Sequence, residues 1–164
     1  MGYSGLVVIA RSDTRLDELA CIDDLFVAVS DTVRAEGWRI GFLGPVDDVS
    51  STDLARDLVA ETGAPAVVLS VFDSDVADAV AIGPSGHVVR FYLNEEMVRQ
   101  LVDDEAQVVP RNDAAVAGLL QWAVEANMVA DRDRLVAALA QSPGAFGAGV
   151  VELATALGVT ATSS

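Results

Sequence analysis

The stretch VLSVFDSDVADAVAIGPSGHVVRFYLNEE, residues 68–96, decides the fold. Within it Val76, Asp78, Val80 and Ile82 alternate with Ala77, Ala79 and Ala81, the two-residue period of a strand. After Gly83-Pro84-Ser85-Gly86, a turn with two glycines, Val88, Arg90 and Tyr92 alternate with Val89, Phe91 and Leu93. Two such runs around a Gly/Pro turn predict an antiparallel hairpin. Residues 66–72 precede it as another β-rich run, so Asp73-Ser74-Asp75 falls between strands. There it is either a polar corner, where Asp and Ser bond local backbone, or, with Asp78, the start of a hard-cation site. Carboxylates two apart on an extended segment share a face.

Working outward, residues 6–10 (LVVIA) form a short apolar run typical of a strand buried on both faces. Across residues 17–36, Ile22, Phe26, Val29 and Val33 recur at spacings of four, three and four, predicting one helical stripe that ends at Gly37. Residues 39–43 read as a strand, followed by Asp47-Asp48 in a loop. A helix capped by Ser50, Ser51 or Thr52 and buried through Leu54, Leu58 and Val59 comes next and stops at Gly63-Ala64-Pro65. Downstream, Asn94 caps a helix carrying Met97, Val98, Leu101 and Val102. Three further helices carry Val116, Leu119, Leu120, Ala123 and Val124; then Leu135, Val136 and Leu139; then Val150, Leu153, Ala154 and Leu157. The expected class is α+β (mixed α/β): one domain over residues 1–164, with a small mixed sheet of four to five strands and an antiparallel hairpin. Helices cover the sheet, which occupies about residues 1–110, and a helical C-terminal part spans about residues 111–164.

With 164 residues, 52% apolar and 21% charged, the chain has the core material of one globular domain. Its formal net charge of -15 repels phosphate backbones and anionic lipid, so neither nucleic acid nor membrane is an expected partner. Every basic residue is arginine, a bias of high-GC bacterial genomes. One cysteine, no secretory leader pattern and no apolar run long enough for a bilayer fit a reducing, cytoplasmic setting. The apolar tail after Ser142-Pro143-Gly144 is expected to pack as core or interface.

Residues alone do not name an activity. His87, the only histidine, sits at a hairpin end and rules out a paired-histidine zinc motif. Ser85 beside it does not make a dyad, because strand neighbours rarely present nucleophile and base to one another. Cys21 lies among carboxylates and lacks a cationic neighbour in sequence to lower its pKa. The glycines at 144, 147 and 149 do not follow the dinucleotide-binding order. Trp122 lies off the Val116–Val124 stripe and is either core or an exposed anchor. The acidic segment Asp103-Asp104-Glu105-Ala106-Gln107, limited by Pro110, opposes a helix dipole and suits a basic cleft.

The TGAPAVVLSVFDSDVA run (residues 62–77) and the GHVVRFYLNEE run (residues 86–96) resemble the small acidic immunity proteins that actinobacteria encode beside secreted toxins. The resemblance is to the immunity factor, or antitoxin, of the tuberculosis necrotizing toxin group. The two runs make up 27 of the 164 residues, and the resemblance implies a non-enzymatic protein without cofactor or metal. Such a protein would bind a cognate NAD glycohydrolase toxin and block its active-site cleft. On charge and loop placement the expected contacts are Asp103, Asp104, Glu105 and Gln107, then Asp73 and Asp75, with Trp122 as a possible anchor. Two rivals remain: an acidic cytosolic chaperone or adaptor for a secreted protein, and a metal-dependent enzyme using Asp73, Asp75 and Asp78. Oligomeric state is not legible.

Overall fold

Strand β1 (Gly5–Arg11) runs through the middle of the sheet as the both-face-buried pattern of residues 6–10 requires, with Val7, Val8, Ile9 and Ala10 fully buried. The computed structural model describes residues 3–25, 27–44, 46, 49–101, 111–144 and 147–160. Among the described residues the sheet has six strands in the order β2-β3-β1-β4-β5-β6. The other five are β2 (Val29–Val33), β3 (Trp38–Leu43), β4 (Ala66–Phe72), β5 (Val76–Ile82) and β6 (Val88–Leu93). Every neighbouring pair is antiparallel, so the expected mixed sheet is corrected. The cause is placement: β3 and β4 are joined through a helix but do not pair, because β1 lies between them.

Two cores sandwich the sheet. On one face Leu6, Val8, Ala10, Val68 and Val80 meet Leu54, Ala55 and Leu58 of α2 (Ser51–Thr62), together with Ile22 of the one-turn α1 (Ala20–Asp23). On the other, Val7, Ile9, Leu69, Ala79 and Phe91 meet α4 (Asn112–Glu125), α5 (Arg132–Leu139) and α6 (Ala148–Leu157). The short α3 (Glu95–Leu101) follows β6. The apolar tail is core: Val150, Leu153, Ala154, Leu157 and Val159 are fully buried. None of the helices among the described residues is long and apolar enough to cross a membrane.

The main departure lies in residues 17–36. Instead of one helix there are a 3₁₀ turn (Leu16–Glu18), α1, the edge strand β2 and a second 3₁₀ turn (Ala35–Gly37). Val29, Asp31 and Val33 share one strand face. Asp31 reaches inward, its Oδ2 accepting from the Leu16 N–H at 2.8 Å and from Arg39 at 3.2 Å. That inward carboxylate breaks the apolar alternation that marks a strand. Phe26, one of the four residues of the helical spacing, lies outside the described residues.

Candidate functional site

The corner between β4 and β5 is held by several long-range hydrogen bonds. Asp73 and Ser74 both adopt positive φ, 51° and 58°, and the Asp75 N–H donates to Phe72 O at 3.0 Å. Positive φ at both central residues is the type I′ requirement that matches the twist of two strands, but non-glycine residues hold it only when their surroundings impose it. Ser74 is tied at three points. Its N–H donates to Tyr3 O at 2.8 Å, its hydroxyl accepts from the Tyr3 N–H at 2.6 Å, and its carbonyl accepts from the Gly144 N–H at 3.1 Å. The Asp73 N–H donates to Ser4 Oγ at 2.8 Å, and Asn94 Nδ2 donates to Asp75 O at 3.1 Å.

On this pinned frame stands an exposed apolar side chain with two acidic residues following it. Phe72 is 63% exposed, and Asp73 and Asp75 are exposed beside it. The sequence pattern marked the aspartates but not Phe72, which reads as one more residue of a buried run until the strand's end exposes it. The same-face pairing of Asp73 and Asp75 does not form, since Asp73 sits in the turn and Asp75 ahead of β5. Asp78 is engaged with Arg111 at 2.9 Å. Among the described residues no three His, Cys, Asp or Glu side chains gather as a metal site.

The segment from Asp103 through Asp104, Glu105 and Gln107 lies outside the described residues. Where the described chain resumes, the Glu95 carboxylate accepts from the Arg111 N–H at 2.6 Å and the Asn112 N–H at 3.4 Å. The Arg111 guanidinium also lies 4.3 Å over the Tyr92 ring. Asn94 does not cap α3 with its side chain as expected. It takes φ 63°, its carbonyl accepts the first helical bond from Val98, and its amide goes to Asp75 instead.

Trp122 is not a surface anchor. It is fully buried, its ring centroid 5.7 Å from that of Trp38, and its indole N–H donates to Ile82 O at 3.2 Å. The expected stripe was rotated: α4 buries Ala115, Val116, Leu119, Trp122 and Ala123 and leaves Val124 64% exposed. The cause is a second packing partner, because α4 lies against both the sheet and α5.

Ser85 Oγ accepts from the backbone N–H of His87, and the imidazole leans over Gly118 on α4, where a Cβ would come within 3.5 Å of Nε2. Burial, then hydrogen bonding and charge from Glu61, push the Cys21 thiol up to about 12. Glu61 also accepts from the Ala20 and Cys21 N–H groups at 2.7 and 3.1 Å, holding the start of α1. A thiol so placed stays protonated and is a poor nucleophile at neutral pH.

The chain matches no family model, no curated protein and no solved structure.

Proposed function

We propose that this chain is a non-enzymatic immunity protein that binds a basic surface on a cognate NAD-hydrolysing toxin and blocks its active-site cleft. The observation that carries the reading is the pinned β4–β5 corner. It presents Phe72 at 63% exposure next to the exposed Asp73 and Asp75, an aromatic anchor with acidic neighbours on a frame that loses little entropy on binding. Net charge of -15 raises the rate of encounter with a cationic cleft. The toxin's identity rests on the resemblance of residues 62–77 and 86–96. The segment Asp103–Gln107 is a second contact in the same reading.

The test is capture of a partner from the native cell's lysate on the tagged chain, with NAD hydrolysis assayed before and after denaturing separation. A stoichiometric partner whose hydrolase activity emerges once this chain is removed is the expected result. Phe72→Ala should weaken inhibition about thirtyfold or more, as loss of a central aromatic contact does. Asp73→Ala with Asp75→Ala should slow association. A secretion substrate without hydrolase activity as the stoichiometric partner would instead identify an adaptor and overturn the reading.

A further inference from the structure

The two rims of the sheet are built differently. On β2, Gly44 N donates to Ala28 O and Arg34 N donates to Trp38 O, at 3.0 and 2.6 Å, so hydrogen-bonded pairs alternate from residue 28 to residue 34. Ser30 and Thr32 therefore bond β3, while the backbone groups of Val29, Asp31 and Val33 face away from it. No described residue takes those outward groups. On β6 Val88, Arg90 and Tyr92 face outward, and the last of these is occupied: the Tyr92 N–H donates to Asn112 Oδ1 and its carbonyl accepts from Asn112 Nδ2, both at 2.9 Å. A side-chain amide there takes the place of the next strand.

Alongside the open rim lies a groove of about 400 Å³, to which Ser30 and Thr32 contribute from β2 and Tyr3, Phe42, Val71 and Val150 an apolar floor. On the opposite face of β2 lie Asp31 and Asp17, each ion-paired through Oδ2, to Arg39 at 3.2 Å and to Arg15 at 2.8 Å. Asp31, with its side chain 10% exposed, spends Oδ2 on Leu16 and Arg39, while its Oδ1 is buried without a hydrogen-bond partner among the described residues. Asp17 Oδ1, on the 3₁₀ turn packed against β2, is buried and unpartnered in the same way.

We propose that β2 is a strand-addition site for an extended segment of a basic partner protein. That segment would place alternate apolar side chains in the groove and arginines or lysines on the Asp31 side. Main-chain bonds to Val29, Asp31 and Val33 supply affinity, and the alternating side chains supply selectivity. A second copy of this chain is the poorer occupant. Antiparallel self-pairing centred on Asp31 sets like charges opposite each other, and two chains of net charge -15 repel. The proposal rests on the immunity reading only in taking the partner to be a basic protein.

The test is an NMR titration of the labelled full chain with a capped heptapeptide of alternating valine and arginine. Shifts and slowed exchange are expected at the amides of Val29, Asp31 and Val33, with a valine–glutamate peptide binding at least about tenfold more weakly. Val33→Pro removes one outward donor without touching the β3 ladder and should weaken binding about tenfold. If that variant misfolds, Thr32→Trp fills the groove from an exposed position and should do the same. Absence of shifts at millimolar peptide, or equal binding by a folded variant, overturns the proposal. So does a dimer of the free chain that Val33→Pro dissolves, which would assign the rim to a second copy. Because no toxin activity is read, failure here leaves the immunity reading standing, and binding at β2 beside uninhibited NAD hydrolysis defeats that reading alone.

Discussion

Strands β6 and β2 both end the sheet, yet at Tyr92 the outward backbone of β6 is answered by the chain, whereas no outward group of β2 has a partner among the described residues. At β6, Asn112 bonds both backbone groups of Tyr92, Arg111 lies over the Tyr92 ring, and Arg90 puts a charge in mid-strand. At β2, a Val-Ser-Asp-Thr-Val sequence offers a rim with Val33 49% exposed. Edge strands are aggregation hazards that proteins blunt with charge, coverage or brevity. Here β2 carries only an inward carboxylate, a device that deters copies of itself while leaving room for a cationic strand.

The largest way to break the contrast is to undermine the covered side. Trp122→Ala deletes a fully buried indole that packs on Trp38 and bonds Ile82 O. It should cost about 3–5 kcal/mol of stability in chemical denaturation. Asn112→Ala strips the amide from Tyr92 and should cost about 1–3 kcal/mol. It should also speed exchange of the Tyr92 amide, making β6 resemble β2. Ser74→Ala removes the hydroxyl that accepts from the Tyr3 N–H; a loss of about 1 kcal/mol is expected, with faster exchange at Tyr3. Val33→Pro sits at the other extreme, because its N–H points to solvent: stability should stay within about 0.5 kcal/mol of the parent.

A pH dependence sharpens the picture of the α1 side. Burial places the Cys21 thiol at about 12 in the folded chain, raised from an ordinary 9.0. The neutral thiol is thus the form the fold favours. That contribution is intact below pH 9 and is lost as pH rises toward 12, since only the unfolded chain ionises easily there. Alkylation by iodoacetamide at pH 8 should be far slower in the native chain than after unfolding.

Much of this architecture is legible in residues alone, and the failures have physical causes. The β5–β6 hairpin, β1, β3, β4, α2 and the helices α4 to α6 follow directly from period-two or period-four apolar patterns closed by Gly and Pro. Ser50 caps α2 through its hydroxyl, which accepts from the Asp53 N–H at 3.3 Å, and Gly63 closes it at φ 72°. Residues 17–36 mislead because Ile22, Val29 and Val33 fall by chance on helical spacing, while the inward Asp31 hides the strand behind an ion pair with Arg39 that no local window contains. Trp122 misleads because a stripe drawn for one partner misses a helix that has two. At the candidate site the acidic corner was visible, but the exposure of Phe72 and the three ties on Ser74 depend on residues up to 71 positions apart.

Amide hydrogen exchange of the isolated chain, read residue by residue along the two rims, tests the open-rim claim most directly. Fast exchange at Val29, Asp31 and Val33 beside protected Ser30, Thr32 and Tyr92 is the predicted result. Protection at Val33 equal to that at Thr32 would show that the rim is already covered and would contradict the account.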